Sequence, residues 1–233
     1  SDRGSTISLS IDAEVSRVAL EALGGAKGTI AVYNYQTGEI LCMVSSPTFD
    51  PDQEPDLSED ETGYEGVYLN RAISSTYTPG SIFKLVTAAA AIENIDGIFD
   101  MTFQCPGSIE VEGKAINCHN THGSLSFGNA LAFSCNCAFA EIALMLDSDI
   151  LLQYAEAYGL TESFSMDIIS VAAGNFDQHE DDSWELAWSG IGQSTDLVNP
   201  LAFLRLMGAY ANEGVAVTPR FVLSVAGASG IQT

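Results

Sequence analysis

The chain has 233 residues, enough for a sizeable domain with its own core. It carries 31 acidic and 8 basic residues, a net charge of −23. That balance argues against nucleic acid as a partner and against docking on an anionic membrane surface. With 46% hydrophobic residues the composition is that of a globular protein rather than a disordered one. No run of about 20 apolar residues is present, so no transmembrane helix is expected within these residues. The opening Ser1-Asp-Arg-Gly-Ser5 does not resemble a signal peptide.

In chain order, Asp12 is placed to cap a helix running to about Leu23, stopped by Gly24-Gly25. Thr29–Tyr33 and Ile40–Val44 are β-rich runs joined by Asn34–Glu39, the pattern of a hairpin. Residues 50–65 hold many carboxylates, but their spacing fits no EF-hand and Pro51 and Pro55 interrupt it. A solvated acidic loop is the expectation there. Ser81–Ala91 follows the turn signal Pro79-Gly80 and is an alanine-rich helix. Ala138–Leu146 and Ile150–Tyr158 are helical runs, the second ended by Gly159. Trp184 and Trp188, four apart, fit one packed helix face, and residues 177–182 a solvated loop. Asn199 caps a further helix that opens at Pro200 and ends before Gly214, and Arg220–Val225 is a strand. The order helix, hairpin, helices, strand gives an α+β fold whose antiparallel sheet takes strands from both chain ends.

The chemistry concentrates in Ser81-Ile82-Phe83-Lys84. A serine hydroxyl needs a base to act as a nucleophile at neutral pH. A lysine one turn later, in apolar surroundings, can serve, because desolvation disfavours its charged form. The helix start would favour the developing negative charge. Taken alone, the same spacing also suits a serine cap followed by a snorkelling lysine. A second element, Ser134-Cys135-Asn136, lies about 50 residues on. Ser-x-x-Lys followed by Ser-x-Asn is the pairing of serine acyl-transfer enzymes that act on D-alanyl peptides and β-lactams.

With these motifs the chain resembles the transpeptidase domain of penicillin-binding proteins. The likeness extends to Thr37–Pro51, to Asn70-Arg71-Ala72 ahead of Tyr77–Ser81, to His122-Gly123, and to Gly190-Ile-Gly-Gln193 ahead of Pro200-Leu201. It covers nearly the whole of residues 1–233. It implies an antiparallel sheet flanked by helices on both faces, with the nucleophile helix in the core. It further implies a D,D-transpeptidase of peptidoglycan synthesis that is acylated by β-lactams, needs no cofactor or metal, and works outside the cytoplasmic membrane. Its partners would be a peptidoglycan stem peptide and a membrane glycosyltransferase. The resemblance makes Ser81 the nucleophile and Lys84 its base. Ser134 becomes a proton relay, and Asn136 a hydrogen-bonding partner of substrate and of Lys84. The Ser81 backbone N–H would supply half of an oxyanion hole. One family element does not appear: no Lys-Thr-Gly follows Ser134, and later basic residues are His179, Arg205 and Arg220. The expectation is that the sequence stops ahead of that strand, leaving the sheet short of strands. A D,D-carboxypeptidase or β-lactamase, with water as acceptor, and a non-catalytic β-lactam or stem-peptide sensor remain open. Glu141, Glu156 and Glu162 are present, but none can be placed as a water-priming glutamate.

The five cysteines are Cys42, Cys105, Cys118, Cys135 and Cys137, an odd number that cannot pair completely. Cys135 and Cys137, flanking Asn136, are expected to be free and buried. Cys105 and Cys118 bracket a hairpin-like stretch through Ile109–Gly113 and could form a disulfide across its base. Cys118, His119 and His122 with Cys105 upstream superficially resemble a zinc cluster, but the spacing matches no standard finger and a disulfide would use both thiols. Gly190-Ile-Gly-Gln193 lacks a nucleotide-binding pattern.

Overall fold

A computed structural model of the chain describes residues 4–56, 65–179, 181–227 and 230–232, the last three by backbone alone. The first segment runs β1 (Thr6–Leu9), α1 (Ala13–Leu23), β2 (Gly28–Tyr33), β3 (Ile40–Ser46) and α2 (Arg71–Ser74). Then come α3 (Lys84–Asn94), β4 (Thr102–Cys105), β5 (Ser108–Val111), β6 (Lys114–Asn117), β7 (Gly123–Ser126), α4 (Phe127–Ala132), α5 (Asn136–Leu146) and α6 (Ser148–Ala157). The rest is β8 (Phe164–Met166), β9 (Ile169–Val171), α7 (Ser183–Gly190), α8 (Pro200–Ala211), β10 (Val222–Gly227) and β11 (Gly230–Gln232). These elements fall into two compact units, each discontinuous in sequence. One comprises Ser1–Thr76, Ser163–Ala173 and Asn199–Thr233; the other comprises Tyr77–Glu162 and Gly174–Val198.

In the first unit, local signals determine most boundaries. The Asp12 carboxylate accepts the N–H groups of Glu14 and Val15, two of the donors that a helix start leaves without partners. Gly24, with φ +56°, ends α1 in the left-handed region. The Asn199 side chain accepts from Leu201 and Ala202 and donates to the carbonyls of Ile73 and Ser75, tying the start of α8 to the end of α2. β2 and β3 form the expected hairpin, with Ala31 opposite Met43. The C-terminal strand finds a partner from the other end of the chain, as expected, but in β1, a strand the sequence did not announce: β1 pairs antiparallel with β10, Thr6 opposite Ala226. The hairpin is a pair of its own, bridged to the chain two residues ahead of β10 by Ile40 N–H donating to the Arg220 carbonyl at 2.8 Å. Ile40, Ala72, Ile73, Met166, Val171 and Leu201 form the buried centre of this unit. Part of the acidic 50–65 stretch, Leu57–Tyr64, lies outside the described residues.

The second unit holds the motif residues. α5 is apolar along most of its length, and it packs against α3, α6 and α7. A close approach is at Gly190, the last residue of α7. A Cβ there would come within 2.2 Å of the Ala143 Cβ on α5. The Gly190 carbonyl also accepts the buried Thr87 hydroxyl of α3 at 2.7 Å. β4 pairs with β7 and β5 with β6, both antiparallel. Residues 177–182, read as a solvated loop, are tied down in their described part. Gln178 donates to Asp149 at 2.7 Å, and the His179 N–H to the Ser148 hydroxyl at 2.9 Å. Trp184 and Trp188 do share one helix, their rings 5.6 Å apart, with the Lys114 ammonium 4.6 Å above Trp184. No helix among the described residues is long and apolar enough to cross a membrane.

Gly190→Ala should destabilise the chain by about 1–3 kcal/mol, the usual cost of overpacking a tight helix contact. Urea unfolding of the variant checks this; unchanged stability would mean that α5 and α7 can part at no cost.

Candidate active site

Pro79 presets the backbone for a turn, and the chain tightens into one turn of 3-10 helix at Gly80–Phe83 before α3 begins at Lys84. The sequence pattern placed Ser81 on the α-helix itself. The 3-10 turn differs usefully, because residues three apart eclipse one another in it. Ser81 therefore stands directly beside Lys84, with the ammonium nitrogen 3.2 Å from the Ser81 hydroxyl. Ser81 is exposed, whereas Lys84 is buried at 1% exposure. The turn is held from one side by the Gly80 N–H, which donates to the Gly192 carbonyl at 2.8 Å. Gly192 must be glycine: its φ is +74°, and a Cβ would lie 2.2 Å from the Gly80 carbonyl oxygen.

Ser134 and Asn136 come to the same point from a bend between α4 and α5. Ser134 has φ +51°, in the left-handed region that costs a residue with a Cβ and is often retained where function needs it. The strained turn aims two acceptors at Lys84: the Ser134 carbonyl at 2.7 Å and the Asn136 Oδ1 at 2.7 Å. The Ser134 hydroxyl lies 2.9 Å from the same nitrogen. The Asn136 amide is oriented by its Nδ2, which donates to the Asn117 carbonyl at 2.9 Å, so that Oδ1 faces the lysine. All four expected residues, Ser81, Lys84, Ser134 and Asn136, thus converge.

The donor count shows what this arrangement can do. A protonated lysine has three N–H donors; a neutral one has two and a lone pair. Two acceptors here, the Ser134 carbonyl and Asn136 Oδ1, can only take protons. The two hydroxyls share the remaining direction, and a hydroxyl can give a proton as well as accept one. A neutral Lys84 is therefore fully satisfied while its lone pair points at Ser81 or Ser134. Burial drives it that way: desolvation lowers the Lys84 pKa to about 8, partly opposed by the nearby Cys118 and Cys135 sulfurs.

Cys135 sits inside the motif and is buried, as is Cys137, and all five cysteines are free. The disulfide considered between Cys105 and Cys118 is not formed. Those sulfurs instead lie close to the His122 Nδ1, at 3.4 and 3.5 Å. Burial pushes up the Cys118 thiol, but N–H groups of Asn120, Asn136 and Cys137 and the Cys105 thiol outweigh it, leaving about 7. Burial pushes Cys135 up to about 12.

Sequence reasoning gave the supports no role. Gly190 and Gly192 enter only as part of the likeness, without a function, Asn117 meets the Asn136 amide only across a long stretch of chain, and the strained φ of Ser134 has no local signature.

A protonated Lys84 is disfavoured in the folded chain, so the unfolded chain binds more protons between about pH 8 and the ordinary lysine range. Stability should therefore rise with pH over that interval. Urea unfolding at pH 7 and pH 9.5 should show a clearly larger rise in the parent chain than in Lys84→Met, which keeps the stem and loses the charge. A parallel rise in the variant would place the titration elsewhere.

Comparison with known proteins agrees with this geometry. The description of the penicillin binding protein transpeptidase domain matches residues 28–232. Peptidoglycan D,D-transpeptidase PbpA of Mycolicibacterium smegmatis is 31% identical over 257 residues, covering 97% of this chain and 50% of that protein. The D,D-transpeptidase domain of a peptidoglycan glycosyltransferase from Eggerthella lenta superposes with a TM-score of 0.88 at 28% identity, covering 99% of this chain and 60% of that one. Penicillin-binding protein A of Mycobacterium tuberculosis, solved as a penicillin G acyl-enzyme complex, gives a TM-score of 0.86 at 27% identity, with 99% and 58% covered. The chain spans about half the length of the curated relatives it matches. With its convergent serines, buried lysine and matching fold, this chain belongs to the penicillin-binding protein transpeptidase family.

Proposed function

We propose that the chain carries the acylating site of a peptidoglycan D,D-transpeptidase, with residues 1–233 forming part or all of its transpeptidase domain. The single observation that supports this most is the buried Lys84 amine, satisfied when neutral and 3.2 Å from the exposed Ser81 hydroxyl. Lys84 takes the Ser81 proton as Ser81 attacks the carbonyl of the penultimate D-alanine of a stem peptide. The backbone N–H of Ser81, at the start of the tight turn, donates to the oxyanion that forms. Ser134, bonded to the same amine, passes a proton to the leaving nitrogen, and terminal D-alanine departs. Asn136 holds Lys84 through Oδ1. An amine from a second stem peptide then attacks the acyl-enzyme, releasing Ser81 and forming the cross-link.

A β-lactam enters the same first step, and its ring opening leaves Ser81 acylated. The penicillin G acyl-enzyme of the Mycobacterium tuberculosis relative supports that extension. The glycan strands would come from a membrane glycosyltransferase acting at the outer face of the cytoplasmic membrane, where peptidoglycan is assembled. The names of the relatives, D,D-transpeptidases of peptidoglycan, favour this reading over hydrolysis by water. The hydrogen-bonding neighbours of Lys84 among the described residues are two hydroxyls, a carbonyl and an amide oxygen, with no carboxylate to prime a water.

Incubation with a penicillin should add one covalent adduct per chain, on Ser81, and Ser81→Ala should remove it. An adduct that persists by intact mass in Ser81→Ala would overturn the assignment. Acylation by a labelled penicillin should quicken as pH rises through about 8, the range in which Lys84 loses its proton. Lys84→Met should acylate about 10²–10⁴-fold more slowly, the usual contribution of a general base. A flat pH profile with an unslowed Lys84→Met would leave the lysine a structural part only.

A further inference from the structure

Beside the proposed acylating site lies a second constellation that the reaction does not use. Cys105, Cys118, His122 and Cys135 each present one ligand atom, and the four atoms all lie within 4.8 Å of one another. We propose that Cys105, Cys118, His122 and Cys135 form a closed, four-coordinate zinc site that staples the turn carrying Ser134 and Asn136.

The spacing of the donor atoms is the main argument. Zinc–sulfur bonds of about 2.3 Å and zinc–nitrogen bonds of about 2.0–2.1 Å in a tetrahedron set ligand edges of about 3.8 Å for S···S and about 3.6 Å for S···N. Cys105 Sγ lies 3.4 Å and Cys118 Sγ 3.5 Å from His122 Nδ1, and Cys118 Sγ lies 4.0 Å from Cys135 Sγ. Each of these three edges is within a few tenths of an ångström of a tetrahedral zinc site, and none of the six exceeds 4.8 Å. A disulfide would bring two sulfurs to about 2.05 Å and strand the third. Three thiolates and an imidazole are the donor set of a structural zinc site, and a fourth protein ligand leaves no open position for catalysis.

The fold delivers these ligands from four separate places. Cys105 ends β4, opposite Gly123 of β7, so that pairing sets His122 beside it. Cys118 follows β6, its own N–H donating to the Gly107 carbonyl at 2.9 Å. Cys135 caps the start of α5. Cys105 and Cys135 are fully buried, whereas Cys118 and His122 are half-buried. The backbone N–H of Asn136 points at Cys118 Sγ from 3.3 Å, the outer-shell donor that a metal-bound thiolate needs. The His122 ring is stacked on Phe133, 5.8 Å between centroids, which fixes the orientation of its Nδ1.

The site is joined to the reacting groups by short covalent links. Cys135 is the middle residue of Ser134-Cys135-Asn136, and Cys118 follows Asn117, whose carbonyl orients the Asn136 amide. Zinc would clamp the end of β6 to the start of α5, and so hold in place the two acceptors on which Lys84 rests. Zinc binding itself does not rest on the acyl-transfer reading; only this positioning effect does.

The test begins with the unmutated full chain, purified reduced and without chelator. Elemental analysis should find one zinc per chain. Exchange for cobalt(II) should give the intense visible bands of a tetrahedral thiolate centre. Cys105→Ser should weaken zinc binding by more than about 100-fold, beyond the usual cost of losing an outer-shell partner. His122→Cys should keep the metal and add sulfur-to-cobalt charge transfer, and Cys42→Ser should change neither readout. A folded, reduced chain that binds no zinc, or a Cys105→Ser variant that binds it as tightly as the parent, would overturn the site. So would recovery of a disulfide between any two of Cys105, Cys118 and Cys135 from chain isolated under argon. Removing the zinc with a chelator should slow penicillin acylation of the parent, and an unchanged rate would refute the positioning effect. If no form of the chain is acylated, the acyl-transfer reading fails while metal content and the cobalt spectrum still decide the zinc site.

Discussion

An amine buried to 1% exposure is the constraint around which the second unit is arranged. A buried ammonium is costly unless every proton has a partner, and a buried neutral amine is tolerated only with its two protons satisfied. Lys84 meets this with two obligate acceptors from one turn and a shared direction toward two hydroxyls. Everything else near it can be traced to keeping those acceptors where they are. Ser134 accepts a left-handed backbone, Asn117 gives its carbonyl to orient an amide, and Gly192 admits the backbone of the turn that carries Ser81.

This arrangement also explains why the groups form a unit rather than four independent residues. Removing Asn136 would free a proton of Lys84 and favour a reoriented amine. Moving Ser134 would take away both a carbonyl acceptor and a hydroxyl. Effects of substitutions here should therefore not add, as is general for groups in one hydrogen-bonded network. The cysteines belong to the same logic. Three of them lie at strand and helix ends that bear directly on the Ser134–Asn136 turn, where a shared metal would rigidify the positions on which Lys84 depends.

Much of the first unit was legible because its signals are local. Asp12 and Asn199 cap the helices they were expected to cap, and Gly24 ends α1 in the conformation glycine tolerates. The hairpin of β2 and β3 followed from β-rich runs around a polar turn. The strand β1, the β4–β7 pairing and the short β8–β9 hairpin were not legible. Four-residue strands such as Thr6–Leu9 carry too few alternations to register, and β4 and β7 are separated by another hairpin.

Sequence by itself determined the identities and the order of the reacting groups: Ser81 and Lys84 three apart, then Ser134 and Asn136 two apart. That spacing is a property of one turn, and a turn is a local object. What only the tertiary structure decided was how those two turns face each other, and what the cysteines do. Burial of Lys84, the orientation of the Asn136 amide and the gathering of Cys105, Cys118, His122 and Cys135 all arise from contacts between residues far apart in sequence. The cysteine spacing fits no local metal motif and suggested a disulfide, since proximity along a hairpin says nothing of where side chains point. Strand pairing and the helix start of α5 set those directions, and they exist only once the chain has folded.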